Sequence, residues 1–226
     1  MKSIALAVVV VAGLAAGAAQ AATATYSGSV ASTSTNWSDS VLLTQFDPLL
    51  GTLDSVSLSL TGSVDGDANA ESLDGAPAVI TLSLSATITA SVAGFPGLSV
   101  DVNPLSSSIF NATSFDGTID FGGTSGVSYS GLTASDSDTS VFTSGLSPFI
   151  GNGTFSLDLS AVGASSGSGA GNLITQFFTD AGATASVTYN YTPPISEVPL
   201  PAGAPLLIGA LGGLALVRRR KAKKAA

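Results

Sequence analysis

Asp65, Asp67, Asn69 and Glu71 fall at alternate positions of the run DGDANAESLD. Calcium loops place oxygen ligands at positions 1, 3, 5 and 7, because the chain must curl around a hard cation. Counting from Asp65, position 6 is Ala70 instead of glycine, and position 12 is Ala76 instead of a bidentate glutamate. The run is therefore not an EF-hand. It reads as the loop of a β-hairpin, either binding calcium weakly through those four side chains or forming a plain acidic, solvated tip. Ser135–Thr139 (SDSDT) is a lesser case of the same kind. Asp116 with Asp120, and Asp136 with Asp138, supply the paired carboxylates that glycoside hydrolysis uses. The chain has no histidine and no cysteine. Hence no imidazole or thiol stands ready to activate its many serines or to serve as a nucleophile. No enzyme and no cofactor is expected beyond weak calcium binding. Trp37, Tyr26, Tyr129, Tyr189 and Tyr191 are the remaining candidates, as a sugar-binding platform or as core aromatics.

The distribution of charge sharpens this reading. All seven basic residues are Lys2, Arg218, Arg219, Arg220, Lys221, Lys223 and Lys224, and all fifteen carboxylates lie between them. From Ser3 to Val217 there is no lysine or arginine. Such a segment repels nucleic acid and anionic lipid and stays dispersed by self-repulsion. It also lacks a cation to hold an anionic substrate or to tune a catalytic carboxyl.

The two ends read as addresses. Lys2, the apolar stretch Ile4–Ala16 and the small residues Ala19 and Ala21 make a secretory signal peptide over residues 1–21, cut after Ala21. At the other end, Ala204–Val217 is an apolar run followed by Arg218, Arg219, Arg220 and Lys221. Fourteen helical residues span roughly 21 Å, short of the ~30 Å hydrocarbon core. The cations stay cytoplasmic and stop transfer. A short membrane helix is thus expected over residues 204–226, behind a proline-rich stalk over residues 193–203. Val198, Pro199, Leu200, Pro201 and Ala202, with the Gly/Leu-rich helix and the basic cluster, resemble the VPLPA-type variant of the PEP-CTERM sorting signal. That resemblance implies export by the Sec machinery of a Gram-negative bacterium that makes exopolysaccharide. It further implies anchoring in the inner membrane, processing near the motif by an exosortase, and delivery to the cell surface or matrix.

Between the ends the period is two. Ile80, Leu82, Leu84, Ala86, Ile88 and Ala90 fall on one face, and Thr81, Ser83, Ser85, Thr87 and Thr89 on the other. Val56, Leu58 and Leu60, then Phe155, Leu157 and Leu159, then Val187, Tyr189 and Tyr191 repeat the theme. One apolar face and one hydroxyl face per run is the mark of antiparallel sheets with one wet side. The expectation is an all-β, antiparallel β-sandwich of about eight to ten strands over residues 22–192. Gly66, Asp74-Gly75, Phe95-Pro96-Gly97, Asn103-Pro104, Asp116-Gly117 and Gly151-Asn152-Gly153 read as turns, and Gly163–Asn172 as a mobile loop. FDPLLGTLDSVSLSLTGSV, together with the segment from PFIGNGTFSLDLSAV to VTYNYTP, resembles the choice-of-anchor E domain. That resemblance brings no activity with it. The expected role is a non-catalytic structural or adhesive one at the cell surface, with a glycan- or calcium-binding module as the alternative.

Overall fold

A computed structural model of the chain describes residues 21–194 and position 210. The expected signal-peptide helix with Ala19, the motif Val198–Ala202, the membrane helix and the cations Arg218–Lys221 lie outside the described residues. Among the described residues no helix is long and apolar enough to cross a membrane. The chain divides into two compact units, one ending at Pro193 and the other beginning at Pro194.

The described part is all-β. Its strands are β1 (Ala22–Ser34), β2 (Trp37–Thr44), β3 (Thr52–Ser72), β4 (Ala78–Ser91), β5 (Leu98–Ala112), β6 (Gly126–Phe142), β7 (Thr154–Gly163), β8 (Ser166–Ser168) and β9 (Leu173–Thr192). One sheet has the order β1-β9-β3-β6 and the other β2-β7-β4-β5, with β8 added beside β4. Every strand pair is antiparallel.

The period-two pattern determines which side chains go inward. Val56, Leu58, Leu60 and Val64 of β3, with Ala181, Ala183, Ala185, Val187 and Tyr189 of β9, face Ile88, Ala90, Val100, Leu157 and Leu159 of the other sheet in one continuous core. A smaller cluster of Ala68, Ala70, Ile80, Leu82, Leu84 and Ala112 extends it along β3 and β4. Each fully buried Leu, Ile or Val contributes about 1.5–3 kcal/mol relative to exposure, which is how a domain without disulfides can hold together. At Gly62 the β3 backbone leaves room for the opposite sheet. A β-carbon there would lie 2.6 Å from Ile88 Cδ1 and 2.8 Å from Val100 Cγ2.

The outer faces are sewn by hydroxyls. Thr25 pairs with Thr188 at 3.0 Å, Thr89 with Ser160 at 2.8 Å, and Thr139 Oγ1 donates to Ser59 Oγ at 3.0 Å. Such cross-strand pairs stabilise the sheets on their solvent-facing sides.

Three expected breaks are not breaks. Gly66 lies inside β3, at a register shift against β6, where a β-carbon would collide with the Phe178 carbonyl of β9. The glycine marks a bulge and a close backbone approach, not a turn. Asn103-Pro104 lies inside β5, an edge strand, where a missing N–H leaves no partner strand wanting. The low-complexity Gly163–Asn172 segment contains β8. Ser166 Oγ meets Ser83 Oγ at 3.0 Å, and Ser165 Oγ accepts from the Ser85 amide at 3.2 Å.

Candidate functional site

The acidic run is not a hairpin tip. Asp65, Asp67, Asn69 and Glu71 all lie within β3, which is hydrogen-bonded to β6 on one side and β9 on the other. Alternate residues of a strand are about 6.6 Å apart and share a face, so the four line up along the outer surface and do not curl around one ion. Each has its own neighbour. Asp65 Oδ1 accepts from Ser32 Oγ at 3.1 Å, and Asp67 Oδ1 from the Gly131 amide at 2.9 Å. Asn69 donates to Gln176 Oε1 at 3.3 Å and accepts from Ser128 Oγ at 2.7 Å. Among the described residues no three acidic side chains gather as they would around a metal ion. Asp65 is also directly opposite Asp180 of β9, a like-charge cross-strand pair that costs stability.

Glu71 differs from the other three. It stands last in the row, and the segment between β5 and β6 folds over it, leaving it 0% exposed. Ser125 Oγ donates to its Oε1 at 2.6 Å, and Ser125 is itself buried. The Ser72 amide donates to the Ser125 carbonyl at 3.0 Å, and the Thr113 amide to the Thr124 carbonyl at 2.9 Å, so the covering turn is fastened on both sides. Glu71 is paired across the sheet with Gly126, and its Oε2 occupies the place where a β-carbon of residue 126 would stand. That oxygen has no hydrogen-bond partner.

The aromatic candidates are mostly structural. Tyr189 is buried and donates to the Thr44 carbonyl at 2.7 Å. Burial and the neighbouring Tyr26 push its hydroxyl above the usual tyrosine value. Trp37 Nε1 donates to the Ala181 carbonyl at 3.0 Å and packs against the core, while Tyr129 accepts from Ser108 at 2.9 Å. Phe95 meets Phe142 edge to face and Phe149 at a tilt, at 4.9 and 4.7 Å between ring centres, and packs against the core. Tyr26 is 36% exposed, and among the described residues a more exposed ring is one that sequence reasoning passed over. Phe178 is 55% exposed on β9 because its outward position in the alternation overrides its hydrophobicity. It borders an open groove of about 300 Å³ with Asn36, Ser34, Thr35, Ser165 and Thr179. A second open groove, of about 380 Å³, is lined by Ser38, Asp39, Ser40, Thr89, Asp158 and Ser160.

The catalytic pairs considered from sequence are occupied locally. Asp116 and Asp120 accept from amides two residues on, Thr118 at 3.0 Å and Gly122 at 2.9 Å, in Asx-type turns. Asp136 Oδ1 accepts from the next amide, Ser137, at 2.8 Å, and Asp138 Oδ2 accepts from the Ser99 amide at 3.2 Å.

No known protein family matches the chain, and no curated protein matches it. Among solved structures it is similar to the structure of infectious bursal disease virus Gt strain, at 16% identity and a TM-score of 0.19, over 86% of this chain and 43% of that one. Against the Gx strain the values are 13%, 0.18, 78% and 37%. The chain spans less than half the length of either, and TM-scores this low define no shared fold.

Proposed function

We propose that this is an exported surface or matrix protein of a Gram-negative bacterium with a non-catalytic structural or adhesive β domain. It is sorted through a C-terminal signal of the VPLPA type. The observation that carries this reading is the tail, where Val198-Pro199-Leu200-Pro201-Ala202, a short apolar run and Arg218-Arg219-Arg220-Lys221 follow one another in the order a processing signal requires. The prolines favour an extended segment that a processing enzyme can read with little loss of entropy. The cations hold the run in the membrane until an exosortase acts. A domain without lysine, arginine or histidine supports a passive role over a catalytic one, since it has no imidazole or amine to activate a serine and no cation to hold an anionic substrate. Its acidity argues against nucleic acid as a partner and leaves neutral exopolysaccharide as a compatible one.

Intact-mass measurement on protein from the native host tests the reading. The expected species begins at Ala22 and ends near residue 200. A surface form that retains the chain through Ala226 would make the tail a plain anchor. Replacing Arg218–Lys221 with alanine should leave the domain folded and misdirect it.

A second reading, glycan binding, is favoured by the Phe178 groove. It combines one exposed ring with an amide and several hydroxyls, the mixture of apolar surface and a few polar groups that small-ligand sites use. Phe178→Ala should then abolish retention on the host's polysaccharide without lowering the melting temperature. Equal retention of the variant would reject this reading.

A further inference from the structure

We propose that Glu71 and the Phe121–Ser125 turn above it form a site for a single hard cation of the calcium class. Of the four ligands expected in the DGDANAESLD run it keeps Glu71 alone, with the turn above it in place of Asp65, Asp67 and Asn69, and it does not depend on the sorting signal. A buried carboxylate is costly unless a charge or a full set of hydrogen bonds compensates it. Glu71 has neither. Its Oε2 is without a partner. Its Oε1 receives one hydroxyl, from Ser125 at 2.6 Å.

No internal cation can come to its aid, because the sequence places no lysine, arginine or histidine between Ser3 and Val217. The compensating charge has to come from solution, as a proton or as a metal cation, and it is the cation that the test below detects. The surroundings suit an oxygen-loving ion. Oε2 faces the Phe121–Gly122 peptide across Gly126, which has no side chain to intervene. Phe121 and Gly123 hold left-handed backbone conformations, φ 55° and 64°, that fold the turn tightly over the carboxylate. Asp116 and Asp120 in the same segment add negative potential without competing as donors. Hard cations are coordinated by carboxylate oxygens together with other oxygen ligands, water included, and Oε2 is the carboxylate oxygen left free to serve. With one buried carboxylate as the charged ligand, affinity belongs with extracellular calcium modules, on the order of 10⁻⁴–10⁻³ M.

The test uses the whole chain, stripped with EDTA, and thermal melting in calcium chloride up to about ten times that dissociation range. Sodium chloride of matched ionic strength separates binding from screening. The wild type should gain melting temperature saturably with calcium beyond the sodium control. Glu71→Gln removes the charge and keeps the shape. It should melt at or above the wild type in EDTA and show no calcium response, so the two curves cross as calcium rises. No calcium response in the wild type overturns the proposal, and so does an equal response in Glu71→Gln. If Glu71→Gln does not fold, hydrogen exchange on the wild type decides. Calcium should slow exchange several-fold in residues 113–126 and at Ser72, and protection elsewhere instead would overturn the site.

Discussion

Tyr189 joins both halves of a buried side chain's problem, an apolar ring to pack and a polar end to satisfy. Its ring lies 5.7 Å from Phe46 and 6.1 Å from Tyr26, and its hydroxyl reaches the Thr44 carbonyl of the opposite sheet. Tyr189→Phe keeps the ring and leaves that carbonyl without its donor, so it should cost about 1–3 kcal/mol at neutral pH. Because burial disfavours its ionisation, the folded state holds the phenolic proton more tightly than the unfolded chain. That contribution is intact below about pH 10, the ordinary tyrosine value, and is lost as pH rises above it. The wild type should therefore lose melting temperature above about pH 10 more steeply than Tyr189→Phe. Parallel declines would place the alkaline sensitivity elsewhere. Sequence could nominate this residue but not assign it, since a tyrosine at an inward position of β9 and an exposed one are written alike until the facing carbonyl is known.

At the level of elements, alternation told most of the story. The inward sets of β4 and β7 could be read directly from Ile80–Ala90 and Phe155–Leu159, because each places apolar and hydroxyl residues strictly in turn. The reading failed where local turn chemistry competed with period. Asp, Gly and Asn in DGDANAESLD favour turns, yet the run keeps the alternation, with Ala68 and Ala70 inward and the polar residues outward. A central strand tolerates carboxylates on a wet outer face. Glu71 was a visible candidate, whereas its partner Ser125, 54 positions away, could not be found from spacing. Gly62 gives the element-scale prediction. Gly62→Ala should destabilise by about 1–3 kcal/mol through overpacking against Ile88 and Val100, despite alanine's lower cost in unfolded-chain entropy. Adding Ile88→Val should recover part of that loss in a double-mutant cycle of melting free energies. Strict additivity of the two changes would show that the sheets can part without strain.

The whole domain is a body of one charge sign. Its carboxylates, including the facing Asp65 and Asp180, repel each other with no cation to relieve them. Raising sodium chloride from low concentration to about 0.1 M, where the screening length falls to ~10 Å, should raise the melting temperature. A flat or falling melting curve over that range would mean that the repulsion is already relieved in the folded state. Reducing agent should do nothing, as the chain has no cysteine to respond.

Ala22 pairs with Tyr191, so the two ends of the domain leave side by side. At ~3.3 Å per residue, the twenty residues of β9 carry the other end, with Glu71 and its covering turn, roughly 60 Å away. Tension applied between Ala22 and Thr192 would peel β1 from β9 one rung at a time, like opening a zip from its free end. Tension between Ser34 and Thr192 would instead load all the rungs of the same pair together. A pulling experiment should therefore find the domain soft along the first axis and several-fold stiffer along the second.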